Sequence, residues 1–167
     1  IDCHSMAAIG PSEYDDPASR RFHAQPTACP ACGPQLDTPV SEIVAALTQG
    51  DIVAIKGIGG YHLACNARDE EAVSRLRHRK QRGGKPFALM VRDLGTARSI
   101  VELDATATAS LASPARPIVL APSTDAPLQA SAAPGNSFLG VLLPYAPLHH
   151  LLFDAGAPSV LVMTSGN

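Results

Sequence analysis

The chain has 167 residues, 46% of them apolar and 17% charged, with a mean hydropathy of +0.08 and a formal net charge of −2. That length carries one good core, and no apolar run is long enough to span a bilayer. The nearly balanced charge and pI of 6.3 argue against a broad nucleic-acid surface but leave room for one local anion site.

Four cysteines, two of them in a C-x-x-C, indicate metal or redox chemistry in a cytoplasmic protein rather than a disulfide framework. No secretory pattern opens the chain, because Asp2 and His4 stand where a charged start and apolar run belong. The first residue is not Met and the last follows a strand-like run, so a fragment cut at both ends is expected.

Residues 1–40 are rich in loop formers, among them Pro11, Pro17, Pro26, Pro30, Gly33 and Pro34. Such a stretch buries too little apolar surface alone and calls for a metal or a neighbouring domain. From Ser41 the texture changes. Ser41 is a candidate N-cap for a helix whose face is Ile43, Val44 and Leu47, with Gly50 as its stop. Asp51–Lys56 reads as a buried strand, ending in the turn Gly57-Ile58-Gly59-Gly60. Asp69 to about Lys80 reads as a helix, with Asp69, Glu70 and Glu71 at its start and arginines at its end, as the helix dipole favours.

Pro86–Val91 is the next strand, then two short helices at Leu94–Val101 and Ala105–Leu111. Arg116–Ala121 reads as a strand, Pro122–Asn136 as a loop, and Phe138–Leu143 as a strand. Pro147–Phe153 is a helix opened by proline, with one of His149 and His150 half buried and the other exposed. Ser159–Met163 is a further buried strand. Strands alternating with helices predict an α/β (α+β) sheet layered with helices.

The window Arg75–Met90 holds Arg75, Arg77, Arg79, Lys80, Arg82 and Lys85, six of the thirteen basic residues. The rest of the chain carries a formal balance of −8, so the window looks like a specific anion site. The competing reading is plain solvation of a helix surface. It suits Arg75, Arg77 and Arg79, whereas Lys80, Arg82 and Lys85 surround the helix end and Gly83-Gly84, where they can converge on phosphate. Gly57–Gly60 lacks the lysine and hydroxyl of a phosphate-binding loop, so it is either a close approach to a ligand or a structural turn. Thr164-Ser165-Gly166-Asn167 follows a strand, where small hydroxyls and an amide suit a ligand site or an ordinary turn. Cys29-Pro30-Ala31-Cys32 has the shape of a zinc knuckle lacking two ligands, or of two free loop thiols. Cys65 reads as core.

In this order, the runs DDPASRRFHAQPTACPACGPQL (15–36), AIKGIGGYHLACNA (54–67), LRHRKQRGGKPFALM (76–90), RPIVLA (116–121) and VMTSGN (162–167) resemble the HypF family of hydrogenase-maturation carbamoyltransferases. The resemblance implies a partial zinc-finger-like segment at 1–40, with 1–12 divergent, and a C-terminally truncated YrdC-like domain at 41–167, a twisted open sheet flanked by helices. It implies ATP with Mg²⁺ and a carbamate derived from carbamoyl phosphate, joined as carbamoyl-adenylate with release of pyrophosphate. The acceptor would be the C-terminal cysteine of HypE, where the group becomes a cyanide ligand of the nickel–iron centre. By motif, Lys80 and Arg82 match the family's K-x-R pair and would act on the phosphates, with Lys85 beside them. Thr164, Ser165 and Asn167 would help hold ATP, and Lys56, Gly57 and Tyr61 would lie near the small carbonyl substrate. Cys29 and Cys32 would ligate Zn²⁺, but the positions of the paired C-x-x-C fall on Ala7 and Gly10.

The alternatives are a threonylcarbamoyl-adenylate synthase or an O-carbamoyltransferase, neither of which needs the segment FHAQPTACPACGP, and a non-catalytic module binding double-stranded RNA. The isolated 167 residues are not expected to complete the carbamoyl transfer.

Overall fold

The computed structural model describes residues 15–19 and 35–167. The chain divides into two compact units, Ile1–Thr38 and Pro39–Asn167. In the first, the Asp16 side chain accepts from the Ala18 N–H at 2.9 Å and its carbonyl accepts from the Ser19 N–H at 2.9 Å, a local aspartate turn. Cys29, Cys32, Ala7 and Gly10 lie outside the described residues.

The second unit runs α1 (Val40–Thr48), β1 (Val53–Lys56), β2 (Tyr61–Asn66), α2 (Glu70–Arg79), β3 (Ala88–Val91), α3 (Leu94–Arg98), α4 (Ala105–Ala112), β4 (Val119–Pro122), α5 (Ala126–Ala132), β5 (Phe138–Leu142), α6 (Pro147–Asp154) and β6 (Val160–Ser165). The strands form one open sheet in the order β1-β2-β6-β3-β5-β4. Only β3 and β5 are parallel; every other neighbouring pair is antiparallel. The expected α/β (α+β) layering is present.

Strand alternation sends neighbouring residues to opposite faces. Val160 and Val162 of β6 join Leu89, Val91, Leu139 and Val141 in a first core, closed by Ala72, Val73 and Leu76 of α2, Leu111 of α4 and Leu128 of α5. Leu161 and Met163 of β6 join Met90, Ile55 and Ala64 in a second core, closed by Ile43 and Leu47 of α1 and by Leu152 and Phe153 of α6. The sheet is therefore a middle layer with helices on both faces. As expected, Cys65 is fully buried; burial, and after it the charge of Asp69, pushes its thiol up to about 12, so it stays protonated.

Three local expectations need correction. Ser41 does not cap α1: Pro39 precedes the helix with φ −55°, and its carbonyl accepts from the N–H groups of Glu42 and Ile43. Proline has that φ built in, which presets the entry to the helix, and no side chain caps it. Residues 122–136 are not a continuous loop, because α5 forms there. The Asp125 carboxylate accepts from the Leu128 N–H at 3.1 Å, Pro127 sits in the first turn, and Leu128 and Ala132 are buried. YHLACN, for which no element was expected, forms a full strand, β2. His149 is completely buried rather than half buried.

Candidate functional site at the end of the last strand

The site is assembled by two chain segments that meet at the C-terminal end of β6. Helix α2 supplies the first. Its N-cap Asp69 accepts from the Ala72 N–H at 2.9 Å, and Glu70 and Glu71 occupy its first turn. At its other end, Gln81 N–H donates to His78 O and Arg82 N–H donates to Arg77 O, the paired bonds of a Schellman motif. Gln81 takes the left-handed conformation there, with φ 47°, where glycine is usual. The chain reverses sharply at that residue, so Lys80 and Arg82, on either side of it, are brought to the same strand end.

Lys80 Nζ donates to the carbonyl oxygens of Ser165 at 2.5 Å and Asn167 at 2.8 Å. Arg82 donates through Nη1 to Thr164 Oγ1 at 3.3 Å, through Nη2 to Pro86 O at 2.7 Å and through Nε to Lys85 O at 3.3 Å. Arg82 is thus held by its own loop, while Lys80 is held by two backbone oxygens at the end of the chain. Both are half-buried. The structure therefore brings Lys80 and Arg82 together with Thr164, Ser165 and Asn167. Thr164 and Ser165 are the last two residues of β6 rather than part of a turn after it. Lys85 is exposed, and its carbonyl accepts from both Arg77 and Arg82.

Arg77 overturns the reading of the helix arginines as solvated charge. Its Nη1 donates to Gly83 O at 2.7 Å and Lys85 O at 2.8 Å, and its Nη2 to Ser131 O at 3.0 Å and Ala132 O at 3.1 Å. Its guanidinium also lies 4.5 Å from the centre of the buried Phe87 ring, which Arg82 meets at 4.8 Å. Burial, then the neighbouring Arg82 charge, draws its pKa below the ordinary arginine value. Arg75 is also engaged, donating to Gly50 O at 2.5 Å and approaching Glu71 at 3.9 Å. Arg79 is exposed, as expected. A rigid planar fork with several donors can bind many carbonyls at once, and helix patterning carries no sign of it.

The second segment is the β1–β2 hairpin. Lys56 Nζ stands 5.4 Å from the centre of the Tyr61 ring, and Lys56 pairs with Tyr61 across the hairpin. Gly166 N–H donates to Tyr61 O at 2.8 Å, and a Cβ at 166 would lie 3.0 Å from that oxygen, a tighter contact than ordinary packing, so the approach favours glycine. A cleft of about 600 Å³ lies here, lined by the Gly59–Tyr61 turn, His62, Tyr145 and the Ser165–Asn167 segment. His62 and Tyr145 were not expected from the sequence. His62 stands two residues after Gly60, the last residue of the glycine turn, and Tyr145 sits in an unpatterned connection before α6, where no periodicity marks it.

Behind the cleft, His149 Nδ1 accepts from the N–H groups of Ala146 at 3.3 Å and Tyr145 at 3.5 Å. Its ring packs edge-on to Tyr145, 4.6 Å between centres. Burial, followed by the nearby His62 and His150, pushes the His149 pKa down to about 4, so the ring is neutral at pH 7 with its proton on Nε2. Burial likewise raises the pKa of Tyr145. Among the described residues no group of three or more His, Cys, Asp or Glu side chains is placed to hold a metal ion, and no helix is long and apolar enough to cross a membrane.

Two family profiles match the chain: the Sua5/YciO/YrdC profile, described as "Telomere recombination", over residues 45–167, and the HypF finger over residues 11–38. The carbamoyltransferase HypF of Rhodobacter capsulatus is 54% identical over 166 residues, covering 93% of this chain and 22% of that protein. The carbamoyltransferase HypF of Rhizobium leguminosarum bv. viciae is 48% identical over 138 residues, covering 79% of this chain and 18% of that protein. The chain thus spans about a fifth of the length of these relatives. A crystal structure of full-length HypF in a phosphate- and nucleotide-bound form superposes with a TM-score of 0.85 at 46% identity, over 94% of this chain and 22% of that one. The Sua5 of P. abyssi, complexed with L-threonine, shares the fold at a TM-score of 0.67 and 19% identity, over 77% of this chain and 38% of its own. Matched along residues 45–167 and carrying the finger segment ahead of them, the chain belongs to the Sua5/YciO/YrdC family and is a HypF-type member of it.

Proposed function

We propose that this chain is the carbamoyl-adenylate-forming part of a HypF-type carbamoyltransferase acting in the cytoplasm. A carbamate oxygen, derived from carbamoyl phosphate, attacks the α-phosphorus of ATP; the bond to the bridging oxygen breaks and pyrophosphate leaves. The whole protein then passes the carbamoyl group to the C-terminal cysteine of HypE, for the cyanide ligands of a nickel–iron hydrogenase. The observation that carries this reading is the convergence of Lys80 and Arg82 on Thr164 and Ser165 at the strand end.

Little covalent help is needed for such a step; position and positive charge do the catalysis. Lys80 exchanges the carbonyls of Ser165 and Asn167 for phosphate oxygens, and Arg82, already fixed by Pro86 and Lys85, offers its remaining edge. Lys85 adds charge at the open side. Ser165 and Asn167 hold the nucleotide, and Lys56, Gly57 and Tyr61 stand on the side of the small carbonyl substrate. Mg²⁺, which the triphosphate implies, would supply charge neutralisation for the leaving pyrophosphate. In the finger segment Cys29 and Cys32 are the proposed Zn²⁺ ligands, with no cysteine at Ala7 or Gly10 to complete a four-cysteine set.

In a full-length HypF-type enzyme carrying this segment, Lys80→Ala or Arg82→Ala abolishes carbamoyl-phosphate-dependent exchange between ATP and pyrophosphate. In the isolated chain each lowers ATP affinity about 10- to 100-fold, the range for a charge-assisted contact. Unchanged exchange in both variants refutes the assignment. Threonine with bicarbonate does not drive ATP turnover, which separates this reading from threonylcarbamoyl-adenylate synthesis. The 167 residues alone do not carbamoylate HypE.

A further inference from the structure

Tyr145 is shared by two cavities. On one side is the cleft beside Ser165; on the other, a cavity of about 550 Å³ lies between Ile58, Arg116, Pro144 and His150. No other residue lines both, so the phenol ring stands between them. Its hydroxyl comes to 3.5 Å from His62 Nε2, and a Cβ on Gly57 would lie 3.2 Å from it, so the ring reaches across to the glycine turn.

No sheet or helix ladder holds that ring in place. Residues 143–145 belong to neither strand nor helix, and Pro144 has no N–H to offer. The Tyr145 N–H instead donates to His149 Nδ1 at 3.5 Å, and the Ala146 N–H donates to the same nitrogen at 3.3 Å. The two rings pack edge-on, with 83° between their planes and 4.6 Å between their centres. His149 therefore holds the connection by its main chain and by its aromatic ring at once.

Part of this is helix capping. His149 is the third residue of α6, the position from which Glu or Gln commonly reaches back to the free N–H ahead of a helix. Capping alone does not account for a completely buried histidine, because its Nε2 is left without a partner among the described residues. An apolar side chain would not carry that cost. What the imidazole brings is one acceptor for two successive N–H groups and a flat edge against Tyr145.

We infer that His149 is a positioning residue: it fixes the backbone of Tyr145 and Ala146 and the tilt of the Tyr145 ring, and through that ring the wall that faces the glycine turn. It touches no ligand itself. The effect on rate rests on the adenylation reading above; the geometry does not. A Tyr145 ring released from His149 can swing towards either cavity, and a displacement of about 1 Å in a group that orients reactants can cost up to about a hundredfold in rate.

The test compares two replacements of His149. His149→Leu keeps the bulk and removes the acceptor, whereas His149→Asn restores an acceptor near the place of Nδ1. In a full-length HypF-type enzyme carrying this segment, His149→Leu lowers the kcat of carbamoyl-phosphate-dependent ATP–pyrophosphate exchange about tenfold and leaves KM for ATP within about twofold. His149→Asn recovers most of that loss. Added to Tyr145→Ala, His149→Leu costs nothing further, because its effect passes through the tyrosine ring. Undiminished exchange in a folded His149→Leu, no recovery in His149→Asn, or losses that add to those of Tyr145→Ala overturn the inference. Should His149→Leu not fold, the wild-type chain of 167 residues decides, with its backbone and imidazole nitrogens isotopically labelled. A magnetic coupling across the hydrogen bond from Ala146 N–H to His149 Nδ1 is expected there, and its absence overturns the inference. If Lys80→Ala and Arg82→Ala leave exchange unchanged, the adenylation reading fails instead. That coupling and the Tyr145 ring resonances then decide the role of His149: they support it if the resonances move in His149→Leu and return in His149→Asn, and overturn it if they stay in place.

Discussion

Replacing Arg77 by alanine separates a residue that shapes the site from those that touch a ligand. Arg77 gives four hydrogen bonds to carbonyl oxygens, two on the Gly83–Lys85 loop and two at the end of α5, and stacks on Phe87. Two of these acceptors keep another partner when it is lost: Ala132 O still accepts from Phe87 N–H, and Lys85 O from Arg82. The full energies therefore do not add. With a charged hydrogen bond contributing roughly 1.5–3 kcal/mol and stacking about 0.5–1 kcal/mol, the expected loss is about 2–3 kcal/mol. Arg77→Lys recovers less than half of it, because an ammonium on a flexible stem cannot span both segments. Urea unfolding of the chain measures this, with Arg79→Ala as the exposed control, expected within about 0.5 kcal/mol of wild type. ATP affinity also falls in Arg77→Ala, since the loop bearing Arg82 is no longer tied to α5. An Arg77→Ala midpoint indistinguishable from that of Arg79→Ala refutes the reasoning and returns Arg77 to ordinary helix surface.

Two further outcomes follow from the packing beside the cleft. Unfolded, the His149 ring binds its proton near 6.5; folded, only near 4, so between these pH values the unfolded state holds more protons and stability falls as pH drops. Over the whole window the loss is on the order of 3 kcal/mol, and it levels off below about pH 4. The difference in urea midpoint between wild type and His149→Gln should carry this slope; a difference independent of pH contradicts it. Gly57→Ala forces the His62 ring aside and costs about 1–3 kcal/mol, but costs distinctly less in a His62→Ala background, where only Tyr145 Oη, 3.2 Å from the new Cβ, still crowds it. Equal costs in both backgrounds would place the strain elsewhere.

Most of the layered architecture was legible because α2, β3, α6 and β6 each carry a strong local signal: charge polarity, a continuous apolar run or an opening proline. Helix α5 was lost because seven residues with two apolar contacts barely express a helical period, although Asp125 and Pro127 marked its start. Strand β2 was lost because polar residues at both of its ends disguise a strand that is paired on both sides in the sheet. The meeting of Lys80 with Ser165, 85 residues away, was legible only through resemblance to a family, since no local pattern encodes it. The role of Arg77 was not legible at all. A carbonyl has no sequence identity, so a cluster of four of them leaves no trace in the residues that provide it.

The position of β6 governs when the site can come into being. It is the last of the described strands along the chain, yet it lies third across the sheet, between β2 and β3. Until it inserts, the β1–β2 hairpin and the β3–β5–β4 group have no common ladder, and both helical layers lack the strand that supplies Val160, Leu161, Val162 and Met163 to their cores. Its pairings with β2 and β3 span long stretches of chain, the kind of contact that forms slowly. The residues that close the sheet also carry Thr164 and Ser165. A nascent or half-folded chain therefore exposes its arginines and lysines without the hydroxyls and carbonyls that organise them. Under the proposed function, nucleotide capture would be tied to completion of the sheet, and ATP binding during refolding should report the arrival of this one strand.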